Sequence, residues 1–346
     1  MKTSPIRVGI AGLGRSGWGI HAHLLQPMND RYQIVAVTDA DANRRLEAVE
    51  RFDCLAYDNF ADLVNDKAVE LIVVALPSFA HADSAIAALE AGKHVVCEKP
   101  MAASLADADR MVAAAAKADA PVLSIFQNRR YNPDFRKVQE IIASGVLGRI
   151  VQIRMTESRM SRRWDWQTLK EFGGGSLNNT GPHFLDMLLQ LFGPAEPEIL
   201  VHLDRTLSLG DADDHVKVML KADGAPTIDL EISSCDAFPD ETWHILGTQG
   251  GLHGSARHLE WKSFDPAELI PRELDTAPTP DRSYNRDTIP WQEASWDRTE
   301  DTDDAYRGFY RDLYATIRNG APLVITPESV RRVIWLQEEC HRLGGM

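Results

Sequence analysis

Two short motifs, far apart in the chain, carry side chains that could transfer a proton. The first is Glu98-Lys99-Pro100, which follows an apolar run, and the second is a triple glycine followed by Asn179 and His183. Lysine and histidine serve as general acids and bases when their surroundings bring the pKa toward neutrality. Lys99 and His183 are therefore candidate proton carriers, although spacing alone is equally compatible with an exposed loop lysine and a packed core histidine.

A glycine-rich turn with the spacing G-x-G-x-x-G follows directly on the apolar run Ile6–Ala11. In this position the first glycine permits a tight turn, the second lets a pyrophosphate approach the backbone, and the third allows a helix to pack closely on the sheet. His21 and His23, in the helix that follows, are interpreted as packed or solvated and are not assigned to the site. The predicted phosphate-binding residues are Gly12, Gly14, Arg15, Ser16 and Gly17.

Asp39 ends the next apolar run, at the place where a carboxylate accepts hydrogen bonds from the ribose hydroxyls of a dinucleotide. Its negative charge would repel a 2′-phosphate, and the sequence therefore favours NAD over NADP. Arg44 and Arg45 follow on a predicted helix. They leave NADP open as an alternative, because an arginine can neutralise that phosphate.

These motifs are positioned by fully apolar runs that alternate with helical stretches. Runs without polar alternation are typical of strands buried on both faces of a parallel sheet. The pattern predicts a doubly wound, Rossmann-type α/β domain over residues 1–125, in which Lys99 follows the carboxyl end of a strand, where ligands bind. A helix capped by Ser104 is expected over Ala102–Ala120. The predicted strands are Val8–Ala11, Ile34–Thr38, Leu71–Leu76, His94–Cys97 and Val122–Phe126.

From about Gly148 onward the runs alternate between polar and apolar residues, which is typical of half-buried antiparallel strands. They predict an α+β domain over residues 126–346 with a large, mostly antiparallel open sheet, and with carboxyl-terminal helices that can pack back on the first domain. An open sheet face favours pairing of subunits, so a homodimer or homotetramer is expected. The predicted strands are Val151–Ser158, Ile199–Thr206, His215–Lys221, Thr227–Ser233 and Glu241–Gly247.

Towards its end the chain is expected to form a long loop and then two helices. Phe264 to Thr302 lacks periodicity and is rich in proline, which indicates a loop or arm. The apolar residues Phe309, Leu313 and Ile317 mark a helix that ends at Asn319-Gly320, and the last helix begins after Thr326-Pro327.

Composition narrows the class of protein. The 346 residues are 44% hydrophobic and carry a net charge of −14, which would repel a nucleic-acid backbone. The longest apolar run, Leu71 to Pro77, is too short to cross a membrane, and Met1 to Ser4 show no export signal, so a cytoplasmic location is expected. Neither a structural zinc site nor a disulfide framework is indicated, because no C-x-x-C spacing occurs. The cysteines are Cys54, Cys97, Cys235 and Cys340.

Taken together, the motifs resemble those of the Gfo/Idh/MocA family, the relatives of glucose-fructose oxidoreductase and inositol 2-dehydrogenase. The resemblance covers nearly the whole chain. It rests on the glycine-rich turn, on Leu76–His81 where the family has a T-P-x-x-x-H type segment, on the E-K-P tripeptide, on Phe126–Arg130, and on the G-G-G…G-x-H-x-x-D segment.

The resemblance implies a two-domain oxidoreductase with named roles for several residues. Glu98 would help to position the nicotinamide, Lys99 would touch the reacting hydroxyl, and His183 would carry the proton. Asn128 would lie near the cofactor carboxamide, and Trp166 would close over the cofactor or substrate. The residues implied to line the dinucleotide cleft are Leu76, Pro77 and His81.

Asn179 departs from the family pattern, in which many members carry an aspartate four residues before the histidine. An asparagine can bind a substrate hydroxyl or orient His183, but it cannot stabilise an imidazolium as a carboxylate does. We therefore expect His183 to titrate at lower pH here than in an aspartate-bearing relative. Asn179 is expected chiefly to recognise substrate.

The expected reaction is reversible hydride transfer between a secondary hydroxyl of a sugar, sugar derivative or cyclic polyol and NAD, with NADP as the alternative cofactor and no metal. One alternative uses the same residues for a redox-neutral, NAD-dependent elimination or glycoside cleavage through a transient keto intermediate. The other is a nicotinamide-binding regulatory protein without turnover. Release of NADH distinguishes the dehydrogenase from both alternatives.

Overall fold

A computed structural model describes residues 4–117, 119–277 and 284–345. The amino-terminal part is a six-stranded sheet in the order β3-β2-β1-β4-β5-β6, with all neighbouring strands parallel. This is the strand order of doubly wound dinucleotide-binding domains. The strands are β1 (Ile6–Ala11), β2 (Tyr32–Thr38), β3 (Leu55–Tyr57), β4 (Leu71–Val74), β5 (His94–Cys97) and β6 (Leu123–Ile125).

Helices cover both faces of this sheet. The helix predicted over Ala102–Ala120 is shorter, Leu105–Ala115, while Ser104 does cap it by accepting a hydrogen bond from the Asp107 N–H at 3.1 Å; Ala118 lies outside the described residues. The glycine-rich turn leads into a π-helical turn at Gly17–Ala22, which continues into α1. The helices are α1 (His23–Leu25), α2 (Ala42–Phe52), α3 (Phe60–Asn65), α4 (His81–Glu90) and α5 (Leu105–Ala115).

The second sheet has eight strands in the order β14-β13-β12-β11-β7-β10-β9-β8. All pairs are antiparallel except β7 with β10, so the predicted fold class is confirmed. The elements of this part are α6 (Pro133–Ala143), β7 (Ile150–Ser158), α7 (Ser176–Asn179), α8 (Gly181–Phe192), β8 (Glu198–Asp204), β9 (His215–Lys221), β10 (Thr227–Ser233), β11 (Trp243–Gly247), β12 (Gly250–Gly254), β13 (His258–Ser263) and β14 (Gln292–Asp297).

The prediction of a long loop over Phe264–Thr302 was wrong in part, because the segment contains β14. This strand carries few apolar residues and forms the sheet edge, where backbone pairing with β13 holds it. A sequence pattern based on buried side chains does not detect such a strand. The segment Pro278–Ser283 of the predicted arm lies outside the described residues.

One face of the second sheet forms a core with α6, α8 and the last helix, whereas the other face carries both charged and apolar side chains. Ile153, Leu230 and Ile245 point into that core and are fully buried. The other face carries a charged cluster in which the Lys217 Nζ lies 2.6 Å from Asp229 Oδ1 and 3.0 Å from Glu231 Oε2. This face is open in the monomer.

The last two helices, α9 (Thr302–Asn319) and α10 (Pro327–Gly344), return to the first domain. Phe309, Tyr310 and Leu313 of α9 belong to the same buried cluster as the parallel strands. The predicted ends of these helices are confirmed: Gly320 adopts a left-handed φ of +69° after α9, and the Thr326 hydroxyl caps α10. The α9 helix therefore packs into the hydrophobic core of the first domain.

Candidate active site

The glycine-rich turn has no room for side chains at two positions and open space at a third. A Cβ on Gly12, whose φ is +90°, would lie 2.4 Å from the Ala75 carbonyl oxygen. A Cβ on Gly17 would lie 1.7 Å from the Gly12 carbonyl oxygen, so both positions require glycine. At Gly14 the nearest atom is 4.0 Å away, on Arg44. The backbone there is open to an approaching pyrophosphate.

Asp39 lies where the carboxyl ends of β1 and β2 meet, and its side chain is only 9% exposed. Its Oδ2 accepts a hydrogen bond from the Leu13 N–H at 2.6 Å, and its Oδ1 accepts one from the Asp41 N–H at 2.8 Å. The Arg44 Nη1 is 3.7 Å from Oδ2. A carboxylate suited to ribose hydroxyls and a cation suited to a 2′-phosphate therefore stand side by side.

The His81 ring lies between the loops that follow β4 and β5, at the carboxyl ends of the parallel strands. It is 1% exposed, with Nδ1 2.7 Å from the Pro100 carbonyl oxygen and Nε2 2.8 Å from the Leu76 carbonyl oxygen. Burial lowers the pKa of His81, against the opposing effect of these two hydrogen bonds. The ring thus connects the loop after β4, which contains Pro77, to the loop after β5, and a direct contact of His81 with cofactor stays a prediction.

Glu98 is buried and is held at both carboxylate oxygens. Its Oε1 lies 3.1 Å from His21 Nε2, and its Oε2 accepts a hydrogen bond from the Lys99 N–H at 2.9 Å. Burial by itself would raise the pKa of Glu98, but the hydrogen bond with His21 lowers it, and so do the charge and the backbone N–H of Lys99. Glu98 is therefore an anion fixed against the backbone of Lys99.

His21 was not assigned to the site from the sequence, yet the structure places it against Glu98. Its ring is 0% exposed, and its Nδ1 lies 2.6 Å from the Tyr310 hydroxyl, a residue 289 positions further along the chain. The only local signal was a histidine in the helix after the glycine-rich turn. The partner on α9 could not be identified from spacing.

Lys99 links the two domains. Its Nζ donates a hydrogen bond of 3.0 Å to the backbone carbonyl oxygen of Asn179. Burial lowers the pKa of Lys99, the cations Arg129 and Arg15 lower it further, and Glu98 opposes them. The amine is therefore closer to releasing its proton than an exposed lysine is, which suits acid–base chemistry.

His183 is positioned by the short helix α7 and the start of α8. Asp213 fixes this region, because its Oδ2 accepts a hydrogen bond from the Leu177 N–H at 2.8 Å, and its Oδ1 would lie 2.3 Å from a Cβ on Gly175, whose φ is +106°. The His183 Nδ1 is buried and has no hydrogen-bond partner among the described residues. Burial holds its pKa well below the usual value, and the charges of Lys99 and Arg129 add to the effect.

Asn179 lies one turn before His183, but its side chain does not pair with that ring. Its Nδ2 donates to the Gln167 carbonyl oxygen at 3.2 Å, while its backbone oxygen accepts from Lys99. Asn179 thus ties the Lys99 amine and the Gln167 segment to the end of α7, two residues before the helix α8 that carries His183 begins.

A short helical turn at Asn128–Tyr131 supplies two arginines with different surroundings. The Arg129 guanidinium lies 4.7 Å from the centre of the Phe184 ring, and its charge acts on both Lys99 and His183. Arg130 makes a two-point ion pair with the buried Asp186 at 2.7 and 2.6 Å. Arg129 therefore faces the site, although sequence analysis did not select it, and Arg130 is structural.

For the remaining predicted residues, contacts with cofactor or substrate stay predictions. Asn128 is 9% exposed. Trp166 is 59% exposed and makes an edge contact with Phe172, with ring centres 6.4 Å apart. Arg15 and Ser16 extend the glycine-rich turn. Closure of Trp166 over a ligand stays a prediction.

Residues 4–117, 119–277 and 284–345 contain neither a metal-binding cluster nor a membrane span. In these ranges no group of three or more histidine, cysteine, aspartate or glutamate side chains could hold a metal ion. No helix within them is both long and apolar enough to cross a membrane.

A doubly wound domain with a glycine-rich phosphate turn, joined to an open-sheet domain that brings histidine beside lysine, defines an NAD(P)-dependent oxidoreductase. The residues fit the cofactor, since the turn leaves its backbone open at Gly14 and a carboxylate, Asp39, follows the end of β2, where it could accept from ribose hydroxyls. Two family models match the chain: the oxidoreductase family with NAD-binding Rossmann fold over residues 6–126, and the GFO/IDH/MocA C-terminal domain over residues 135–253. The chain belongs to the Gfo/Idh/MocA family and is an NAD(P)-dependent dehydrogenase or reductase acting on CH–OH groups.

Curated relatives and solved structures agree with this assignment. The myo-inositol 2-dehydrogenase of Thermotoga maritima is 33% identical over 254 residues, which cover 71% of this chain and 74% of the relative. The scyllo-inositol 2-dehydrogenase (NADP(+)) IolW of Bacillus subtilis is 28% identical, with 97% and 93% covered. The putative oxidoreductase yvaA of Bacillus subtilis superimposes with a TM-score of 0.81 at 23% identity, covering 100% and 98%. This structural likeness shows the shared fold.

Proposed function

We propose that the protein transfers hydride reversibly between a secondary hydroxyl of a sugar, sugar derivative or cyclic polyol and a nicotinamide cofactor, with Lys99 and His183 handling the hydroxyl proton. The observation that carries the proposal is the junction between domains. There the Lys99 Nζ lies 3.0 Å from the Asn179 carbonyl oxygen, and the buried His183 Nδ1 has no partner within the described residues. Two relatives named as inositol dehydrogenases support a polyol substrate.

The glycine-rich turn would hold the pyrophosphate, Asp39 the adenosine ribose, and the end of β5 the nicotinamide. When bound, the nicotinamide accepts or supplies the hydride. Glu98 contributes a fixed negative charge at that strand end, where it keeps the Lys99 backbone in place. Asp39 favours NAD, whereas Arg44 allows the phosphate of NADP.

Lys99 serves as the group that meets the reacting oxygen. Because its pKa is lowered, its neutral form can take the hydroxyl proton during oxidation. In the reverse direction its protonated form donates to the carbonyl oxygen and stabilises the negative charge that develops there. Arg129 favours the neutral form, and Glu98 favours the protonated form.

His183 serves as a neutral hydrogen-bonding partner to a substrate hydroxyl. Its low pKa keeps the ring uncharged, so it offers a lone pair to a hydroxyl proton. Asn179 adds no negative charge that would stabilise the imidazolium. A substrate whose neighbouring hydroxyl donates to His183 is thereby oriented with its reacting hydroxyl toward Lys99, which removes the proton of that second hydroxyl.

The test is the appearance of NADH or NADPH absorbance with a panel of inositols, aldoses, sugar acids and glycosides. We expect wild-type turnover with a polyol or sugar and loss of more than about a hundredfold in kcat for Lys99→Ala, because a positioned acid–base group contributes about that much. Lys67→Ala is the control, since this exposed lysine lies away from the cleft. Consumption of a glycoside without reduced cofactor would replace this proposal with the redox-neutral reaction.

A further inference from the structure

A buried chain of polar contacts connects α9 to the backbone of Lys99. It runs from the Tyr310 hydroxyl to His21 Nδ1 at 2.6 Å, from His21 Nε2 to Glu98 Oε1 at 3.1 Å, and from Glu98 Oε2 to the Lys99 N–H at 2.9 Å. Tyr310 and His21 are 0% exposed, and Glu98 is 6% exposed. Three distant parts of the chain, which carry His21, Glu98 and Tyr310, therefore meet behind the end of β5, where the nicotinamide is proposed to bind.

For a neutral His21 ring, the contacts permit one placement of protons. An ionised Glu98 can only accept, so His21 Nε2 must carry a hydrogen. In a neutral imidazole Nδ1 is then the acceptor, and it receives the hydrogen of the Tyr310 hydroxyl. Burial raises the pKa of Tyr310 well above its usual value, with Tyr32 and Glu98 adding to the effect, so this phenol remains a donor.

The surroundings of Tyr310 make this chain of contacts a fixed support. Its ring packs edge-on against Phe309 at 5.3 Å and Tyr32 at 5.3 Å, and the His21 ring lies 4.5 Å from Phe126. Tyr32, which is 2% exposed, donates its own hydroxyl hydrogen to the Tyr310 backbone oxygen at 2.7 Å. The chain of contacts thus ends in an aromatic core. A proton path to solvent would need an exposed polar group at this end, so the contacts serve as a support.

We propose that His21 and Tyr310 are positioning residues that orient the Glu98 carboxylate, and through it the Lys99 backbone, for hydride transfer. Tyr310 selects the His21 tautomer that carries hydrogen on Nε2, and this tautomer holds one oxygen of Glu98. The other oxygen remains directed at the Lys99 N–H. The kinetic part of the inference rests on the proposed function, while the tautomer part is independent of turnover.

The kinetic test compares Tyr310→Phe with Tyr32→Phe. Both substitutions remove one buried phenol hydroxyl from the same aromatic cluster, but only Tyr310 contacts His21. We expect Tyr310→Phe to lower kcat about tenfold with less than about twofold change in KM for the cofactor, since a hydrogen bond within a charged network is lost. Tyr32→Phe should keep kcat. Equal losses of kcat in the two variants would overturn the proposal.

A conservative exchange at His21 separates positioning from general packing. The amide nitrogen of His21→Gln can still donate to Glu98, whereas His21→Leu cannot. We expect His21→Gln to retain several times the kcat of His21→Leu when both show comparable melting temperatures. Equal kcat values in folded protein would contradict the role assigned to Nε2. If either variant fails to fold, the tyrosine pair still decides.

The measurement that needs no substrate is histidine nitrogen NMR on full-length protein with isotope-labelled histidine, with His21 assigned by its loss in His21→Gln. We expect the neutral Nε2–H tautomer in wild type and Tyr32→Phe, and a changed tautomer signal in Tyr310→Phe. A wild type without polyol turnover but with this tautomer pattern would refute the proposed function alone. An Nδ1–H tautomer in wild type would overturn the positioning role.

Discussion

At the scale of single residues, burial and the neighbouring charges set the pKa of His183. Burial lowers its pKa most, and the cations Lys99 and Arg129 lower it further. Asn179, one turn earlier, contributes no carboxylate. The imidazole is thus suited to remain neutral while it accepts a hydrogen bond from one substrate hydroxyl, and the proton of the reacting hydroxyl passes to Lys99.

An aspartate at position 179 should change this balance. A carboxylate there stabilises the imidazolium, so Asn179→Asp is expected to raise the pKa of His183. Because the neutral ring is the working form during oxidation, the acidic limb of the kcat–pH profile should move to higher pH and activity in mildly acidic buffer should fall. The measurement is that profile in the oxidation direction.

Asn178→Asp is the matched control for this experiment. Asn178 lies on the same short helix, but its side chain faces His341 at 2.9 Å and the Gly174 carbonyl oxygen. A new charge there lies away from the cleft, so the pH profile should stay close to that of wild type. If Asn179→Asp also retains the wild-type profile, Asn179 does not govern the titration of His183.

At the scale of elements, the glycine-rich turn depends on close backbone contacts. A Cβ at Gly17 would overlap the Gly12 carbonyl oxygen, which belongs to the backbone and cannot rotate away. We expect Gly17→Ala to distort the turn and to raise the Kd for NAD by more than about tenfold. NADH fluorescence titration measures this.

The same segment offers its own control. Gly19 lies in the π-helical turn, and no atom lies within 4 Å of the position that a Cβ would occupy there, so Gly19→Ala should leave Kd nearly unchanged. A Gly17→Ala variant that binds NAD as wild type does would show that the turn tolerates a shift of Gly12.

The elements also show what the sequence could predict. Apolar runs located five of the six parallel strands, because a buried strand needs apolar residues on both faces. The missed strand β3 has three residues, two of them exposed, and β12 contains three glycines, so neither offers a side-chain pattern. Their pairing comes from neighbouring backbones.

The candidate residues of the site could be selected from the sequence to a similar degree, and their roles stay predictions. Lys99 and His183 were selected from motifs with specific spacing, and the structure places both next to Asn179 and under the charge of Arg129. The support behind Glu98 was not predictable. His21 and Tyr310 meet only after the whole chain has folded, and neither residue type is rare in an ordinary core.

At the scale of the whole molecule, the open face of the second sheet is expected to pair two subunits. Leu200 is 65% exposed on this face, and Met219 lies directly opposite it on β9. We expect a homodimer or homotetramer by light scattering after size exclusion. Leu200→Glu with Met219→Glu should lower the mass, because charges would be buried in the interface.

An exposed lysine remote from this sheet provides the control. Lys67→Glu should keep the mass of wild type. A monomeric wild-type protein at micromolar concentration would show the expectation of an oligomer to be wrong.

The return of α9 to the first domain has a consequence for how the protein is made. Phe309, Tyr310 and Leu313 complete the core around the parallel sheet, yet they are synthesised after all strands of the second sheet. During synthesis, the part of the first domain's apolar core that α9 covers therefore remains exposed until α9 has been made. A fragment that stops at residue 125 lacks the α9 residues that cover this core. For the full chain, we expect folding during synthesis to depend on chaperones.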